Sequence, residues 1–339
     1  MKIRQAVVMV GGKGTRLRPL TDNRPKPILP VLDRPCLSYL IESLAKGGIE
    51  KVILACGYRS EKMAEAIGNG SELGIEIVYS YEETPMGTAG AIKLLEEELD
   101  DVFVAVNGDV FADIDLKKEL EEHETSGASL TISLIEVERP NEFGVARLDG
   151  TGRILEFQEK PKPGEEISNL ANAGVYVIDK DILKYVPKGE MYDFSKELTI
   201  DLIDKGYKVQ GHILNGLWMD VGRPADLFGA NIAAARRKGR TDHSDAVRGS
   251  KIAGTFYLGA GAEAIDCEIS DTVISAGSRI IGSKVKDSLI MAGCTITGAE
   301  ISGSIIGEAC VIQKGASVIG SVIADGTVIG ENETRRGTQ

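Results

Sequence analysis

The chain is poor in histidine, in paired cysteines and in long apolar runs. Its 339 residues include three histidines, His123, His212 and His243. None lies near a cysteine pair, so the usual donor set for a zinc site is missing. The five cysteines (Cys36, Cys56, Cys267, Cys294, Cys310) are scattered, odd in number and without CxxC spacing. That usage reads as reduced thiols in a cytoplasmic protein, not as a disulfide framework. The opening MKIRQAVVMVGG has too short an apolar stretch for a signal peptide or a membrane span. Positive charge is also in deficit: 39 Lys and Arg against 51 Asp and Glu give a formal net charge of −12. A broad basic face for nucleic acid is not available on that balance, and neither nucleic acid nor membrane is expected as a partner.

What is present divides into two texts. Up to about residue 240, short β-branched runs (Ala6–Val10, Val52–Cys56, Ile75–Tyr79, Val102–Val106) alternate with segments of helical spacing (Leu37–Lys46, Glu61–Ile67, Gly90–Glu98). This alternation predicts βαβ units: a Rossmann-like, mostly parallel α/β sheet with helices on both faces. The strands expected at Leu130–Glu136, Gly144–Leu148, Ile154–Gln158 and Val175–Ile178 follow without long helices between them, so the sheet should become mixed. Ala225–Lys238 reads as a helix, and the polar RRKGRTDHSD as a linker.

After residue 250 one phrase recurs: Asp271–Ile274, Asp287–Ile290, Gly303–Ile306 and Gly320–Ile323, at spacings of 16, 16 and 17 residues. Ile280, Ile296, Ile312 and Ile329 repeat in step, six residues after each phrase ends. Hexapeptide steps at about three per turn are the signature of a parallel β-helix, whose coils bury their apolar corners only by stacking. The expected organisation is 1–238 as the α/β domain, 239–250 as a linker, 251–331 as the β-helix and 332–339 as a polar tail.

The densest chemistry is in GGKGTRLRPLTDNRPKP, where Lys13, Arg16, Arg18, Arg24 and Lys26 face only one local acid, Asp22. Glycines there let backbone N–H groups approach a phosphate, and Arg16 offers a planar fork of donors. The loop is neither a Walker A motif nor GxGxxG. Read alone, it could equally be a tight strand-to-helix turn carrying solvated charges. Likewise an isolated aspartate is more often a helix cap or turn residue than a metal ligand.

Taken with PMGTAGA (85–91), NGD (107–109), EFGV (142–145), FQEKP (157–161), NAGVYV (172–177) and GLWMDVGRP (216–224), the loop resembles the sugar-1-phosphate nucleotidyltransferases. Within that family the pattern is most similar to mannose-1-phosphate guanylyltransferases that carry a C-terminal left-handed β-helix. The resemblance implies transfer of a nucleotidyl group from a nucleoside triphosphate to a sugar 1-phosphate, with release of pyrophosphate. It implies Mg²⁺ held by Asp109 and Asp220, with Arg16 and Lys26 on the reacting phosphates. Gly11, Gly12, Gly14, Thr15, Arg16, Gly87 and Thr88 would meet the nucleotide. Gly144, Glu159, Lys160 and Asn172 would meet the sugar phosphate. GTP with mannose 1-phosphate is the expected pair, and UTP or dTTP with glucose 1-phosphate the alternative. A non-catalytic subunit that binds a nucleotide sugar is the alternative of another class. Some related enzymes house an acetyltransferase site in the β-helix. That chemistry uses a histidine base, and residues 244–339 contain none. Assembly into a homo-oligomer or regulation is therefore the expected role of the repeats.

Overall fold

The computed structural model describes residues 3–57, 60–82, 84–214, 216–239 and 245–337. Residues 240–244 of the expected linker, His243 among them, and the last two residues of the expected tail lie outside this set. The chain forms two compact units, and they do not divide it at a single point. One comprises Met1–Gly12 with Leu37–Trp218, the other Lys13–Cys36 with Met219–Gln339.

The first unit is built on a nine-stranded sheet. Its strands are β1 (Gln5–Met9), β2 (Lys51–Cys56), β3 (Glu76–Tyr81), β4 (Val102–Asn107), β5 (Leu130–Glu136), β6 (Gly144–Leu148), β7 (Ile154–Glu159), β8 (Leu170–Asp179) and β9 (Val209–Ile213). The order is β7-β6-β8-β4-β1-β2-β3, with β5 pairing β8 and β9. The four strands β4, β1, β2 and β3 are mutually parallel. β8 then runs antiparallel to β4 and to β5, and β7 antiparallel to β6. The sheet is thus mixed in its second half, as the shortage of crossover helices there requires. Val7, Ile53, Phe103, Ile132 and Tyr176 lie in one core with Ala89, Ile92 and Leu202 from the flanking helices.

Helices Cys36–Lys46, Ser60–Ile67, Gly87–Leu94 and Pro224–Lys238 lie where the spacing predicts, within a few residues. Leu116–Ser126 is a further helix that the apolar pattern does not announce. Its inward face includes Glu119 and His123, buried at 1% and 3% exposure. Ser133 Oγ donates to Glu119 Oε2 at 2.7 Å, and His123 Nδ1 lies 2.9 Å from Thr131 Oγ1. Glu119 Oε1 has no hydrogen-bond partner among the described residues and lies 3.5 Å from His212 Nε2.

In the second unit, residues 251–336 form a parallel β-helix. Ile274, Ile290, Ile306 and Ile323 stack in register, as do Ile280, Ile296, Ile312 and Ile329. These isoleucines fill the interior with Cys294 and Cys310. The first residue of each repeated phrase has a reason to be Asp or Gly. Asp271, Asp287, Gly303 and Gly320 occupy corners with φ of 43°, 46°, 56° and 58°, a left-handed conformation that Gly adopts freely and Asp more readily than most residues. All five cysteines are free and buried. Among the described residues no helix is long and apolar enough to cross a membrane.

Candidate active site

In the first unit, the loops after β1 and β4 leave the same carboxyl edge of adjacent parallel strands, where Met9 pairs with Asn107. Such edges are the usual ligand side of α/β sheets. A Cβ built on Gly11 or Gly12 would meet nothing within 4 Å, so protein packing does not demand glycine at either. Gly108 is different: a Cβ there would lie 2.4 Å from Val10 Cγ1. Its N–H donates to Met9 O at 2.9 Å, which fixes the turn that presents Asp109. Gly174, at φ +71°, packs on Asn107, whose Nδ2 would sit 2.4 Å from an added Cβ. The NGD and NAG motifs therefore share a packing reason.

Gly87 and Thr88 open the helix Gly87–Leu94. Gly87 has φ +71°, and an added Cβ would collide with Tyr192 O at 2.7 Å. The Thr88 N–H and Oγ1–H both donate to Asp193 Oδ1, at 3.0 and 3.2 Å, while Thr88 Oγ1 accepts from Phe194 N–H at 2.9 Å. Ala89 and Gly90 N–H donate to Tyr192 O. The helix start is thus capped by a segment a hundred residues on, and Thr88 does not cap its own helix.

The sugar-phosphate candidates gather around β6, β7 and β8. Gly144 pairs with Glu159 across β6 and β7. A Cβ on Gly144 would lie 2.7 Å from Glu159 Oε2 and 2.6 Å from Phe157, so a side chain there would cover the carboxylate. Lys160 follows with φ +46°, uncommon for a residue with a side chain. Its ammonium lies 3.9 Å from Glu159 Oε1. Asn172 Nδ2 donates to Tyr176 Oη (2.8 Å) and Ser195 Oγ (3.0 Å), and its Oδ1 accepts from Gly174 N–H. Its amide braces the strand in this structure. Trp218 Nε1 donates to Ala173 O at 2.8 Å, and its ring meets Phe143 edge-on.

Burial pushes the Glu159 carboxyl above its ordinary range, against the pull of Lys160 and Lys196. Burial also pushes Asp193 up, but the hydrogen bonds from Thr88 and the contact with Lys196 outweigh it and hold that carboxyl below its ordinary range. Asp193, Ser195 and Lys196 were not singled out from the sequence. MYDFSKEL has no glycine punctuation, and its one signal is an Asp, a Ser and a Lys in a short polar stretch.

In the second unit, Arg16, Lys26 and Asp220 belong together. The Lys26 ammonium lies 3.4 Å from Asp220 Oδ1, with the lysine side chain 8% and the aspartate 28% exposed. A Cβ on Gly222 would lie 2.8 Å from Asp220 Oδ2 and 3.1 Å from Arg16 Nη2. That close approach explains the glycine after Asp220-Val221. Thr15–Leu17 is one 3₁₀ turn, entered through Gly14 at φ +62°. A Cβ on Gly14 would stand 3.0 Å from Lys26 Cβ. Thr21 Oγ1 donates to Gly14 O at 2.8 Å and closes the loop. Lys26–Ile28 forms a second 3₁₀ turn, with Pro27 stiffening the segment that carries the lysine.

Residues 5–237 match the family described as nucleotidyl transferase, and residues 282–336 match the GlmU-like C-terminal hexapeptide family. A mannose-1-phosphate guanylyltransferase of Mycobacterium tuberculosis is 35% identical over 273 residues, 79% of this chain and 74% of that protein. A UTP–glucose-1-phosphate uridylyltransferase of Synechocystis is 32% identical over 240 residues, 67% of this chain and 62% of that one. The catalytic subunit beta of the Drosophila melanogaster mannose-1-phosphate guanylyltransferase is 35% identical over 66% of this chain and 61% of its own. The aligned part thus spans less than two thirds of the cyanobacterial and insect proteins. A Bacillus anthracis structure assigned as a glucose-1-phosphate thymidylyltransferase superposes with a TM-score of 0.63 at 26% identity, over 70% of this chain and 98% of that chain. The chain belongs to the sugar-1-phosphate nucleotidyltransferases, with hexapeptide repeats following the transferase region.

Proposed function

We propose that the protein makes GDP-mannose from GTP and mannose 1-phosphate. A sugar phosphate oxygen attacks the α-phosphorus in line, the bond to the bridging oxygen breaks, and pyrophosphate leaves. No covalent enzyme intermediate is needed, so catalysis rests on positioning and charge. The observation that carries the reading is the buried Lys26 ammonium, held 3.4 Å from Asp220 on a proline-stiffened turn. Arg16 would hold the triphosphate oxygens and meet charge that builds on the leaving pyrophosphate. Lys26 would bridge the phosphates of both substrates. The backbone of Gly11, Gly12, Gly14 and Thr15 would line the triphosphate, and Gly87 and Thr88 the base or ribose. Gly144, Glu159 and Asn172 would meet the sugar, and Lys160 its phosphate.

The donors assigned to Mg²⁺, Asp109 and Asp220, are carboxylates, which suits a hard cation that also takes phosphate oxygens and water. When bound, the ion would supply neutralising charge to the phosphates. In this reading residues 1–238 supply the transferase chemistry, and the β-helix serves self-association of a cytoplasmic homo-oligomer.

The guanylyl reading draws support from guanylyltransferase relatives in a bacterium, an insect and a yeast that are 35% identical to this chain over the aligned part. The Synechocystis uridylyltransferase, at 32% identity, favours a second reading with UTP or dTTP and glucose 1-phosphate. A pyrophosphate-release assay crossing the common nucleoside triphosphates with several sugar 1-phosphates decides between them. The highest kcat/KM should fall on GTP with mannose 1-phosphate. Preference for UTP or dTTP with glucose 1-phosphate selects the second reading. Release from no pair makes the chain a nucleotide-sugar-binding regulatory subunit.

A further inference from the structure

Of the five cations in the opening loop, Arg24 does not keep its charge for a substrate. Its guanidinium is 15% exposed and bonds Glu308 with one nitrogen and Asp325 Oδ2, at 2.5 Å, with another. Both acids lie on successive coils of the β-helix, some three hundred residues along the chain. Asp325 is itself fixed, since its Oδ1 accepts from the Glu308 N–H at 2.9 Å. Gly307 makes room for this approach: a Cβ there would lie 2.7 Å from Asp325 Oδ1.

A second anchor follows Lys26. Asp33 accepts from Tyr257 Oη at 2.7 Å and from the Ala276 N–H at 2.8 Å, both in the β-helix. Between them, Leu32 N–H donates to Asn231 Oδ1 and Asn231 Nδ2 donates to Pro30 O, from the helix Pro224–Lys238. Lys26 therefore rides on a short segment tied down on both sides, at Arg24 and at residues 30–33, by one compact unit.

We infer that Arg24 is a positioning residue. Clamped by Glu308 and Asp325, it sets where Lys26 stands, and the β-helix is a working part of the transferase site as well as an appendage for assembly. The inference rests on the role proposed above for Lys26. A planar guanidinium bonded to two carboxylates fixes direction as well as distance, which a lysine cannot reproduce. Misplacing a reacting group by about 1 Å can cost on the order of 10²-fold in rate.

The test is steady-state pyrophosphate release by the full-length chain, with folded fraction checked by thermal melting. Arg24→Ala should lower kcat/KM by roughly 10- to 100-fold. Glu308→Gln with Asp325→Asn, which leaves the loop sequence and side-chain sizes unchanged, should reproduce most of that loss. Arg24→Lys should recover part of it. In a Lys26→Ala background the Arg24→Ala change should cost less than about threefold, because Arg24 acts through Lys26. A merely structural role predicts something else: loss in proportion to the unfolded fraction, unchanged KM, and the same factor with or without Lys26. Full activity in the folded Glu308→Gln/Asp325→Asn protein, or multiplicative losses in the double variant, would overturn the inference. If Lys26→Ala itself keeps full activity, the proposed function fails instead. Should Arg24→Ala not fold, the isosteric Glu308→Gln/Asp325→Asn pair decides alone.

Discussion

Replacing Asp220 by asparagine separates a reactive carboxylate from a stabilising one. The change keeps the size and one acceptor oxygen but removes the charge 3.4 Å from the Lys26 ammonium. At an effective dielectric constant of about 20, that attraction is worth roughly 5 kcal/mol gross. Water at the aspartate, which is 28% exposed, screens part of it, and Lys26 keeps another interaction, but the lysine stays buried in the variant. The net cost to folding should be about 1–3 kcal/mol, a fall in Tm of about 2–6 °C for a chain of this size. Turnover of the folded protein should fall as well. A group that neutralises developing phosphate charge, or holds the ion that does, is worth about 10²-fold or more in kcat, or at least about 2.7 kcal/mol. The assay is pyrophosphate release at saturating nucleotide and sugar phosphate, beside a thermal melt on the same preparation. A folded Asp220→Asn protein with kcat within twofold of the parent would refute the assignment.

The remaining predictions use the same pair of measurements. Asp109→Asn should also cost about 10²-fold in kcat with little change in Tm; near-normal turnover would remove it from the metal pair. Gly14→Ala places a side chain at φ +62°, 3.0 Å from Lys26 Cβ, and should cost about 1–2 kcal/mol of stability and roughly tenfold in kcat/KM. An alanine variant with parent kinetics would show that Lys26 is not set by this contact. Glu119 gives a pH signature, because burial pushes its pKa up to about 7. The folded state then holds a proton that the unfolded chain has released, so stability falls as pH rises from the ordinary carboxyl range through 7. Glu119→Gln keeps an acceptor for Ser133 and should be more stable than the parent at pH 8, relative to pH 5, by about 3 kcal/mol in urea unfolding. His212 Nε2 lies 3.5 Å from Glu119 Oε1 and its pKa is lowered by burial, so the comparison is made with His212→Asn in both proteins. Parallel pH profiles for the two would refute the buried-acid account.

The legible parts of the fold are those where one physical requirement acts at a fixed period. Ile280, Ile296, Ile312 and Ile329 must stack, so their spacing states the β-helix outright. The parallel strands β1, β2 and β4 are buried on both faces and read as unbroken apolar runs. The helix Leu116–Ser126 was not legible because Glu119 and His123 occupy positions where leucines would have announced a buried face. The partner of the Thr88 end was hidden for another reason. Asp193 lies 105 residues from Thr88, and a single acid in a polar segment carries no sign of its distant partner. Motif reasoning picked out Arg16, Lys26 and Asp220 one by one. That they share a compact unit with the β-helix, apart from β1 and β4, follows only from tertiary packing.

That packing also changes the meaning of the charge surplus in the opening loop. Five cations against one local acid suggest a strong positive field for a triphosphate. Arg18 lies 3.3 Å from Asp22 at the surface, and Arg24 is held by Glu308 and Asp325. Lys26 already faces Asp220. The loop's long-range field is therefore weaker than its composition implies, and screening over about 8 Å at physiological salt weakens it further. Attraction at a distance cannot be what this loop is built for in a chain of net charge −12. Its cations from Arg16 to Lys26 are placed by contacts, each with a carboxylate or a turn that fixes its position. For a reaction that needs no covalent help from the protein, placing charge to within about 0.5 Å is the larger part of catalysis. A loop tied to a stack of hydrogen-bonded coils can meet that demand, where a free glycine-rich loop with the same five cations could not.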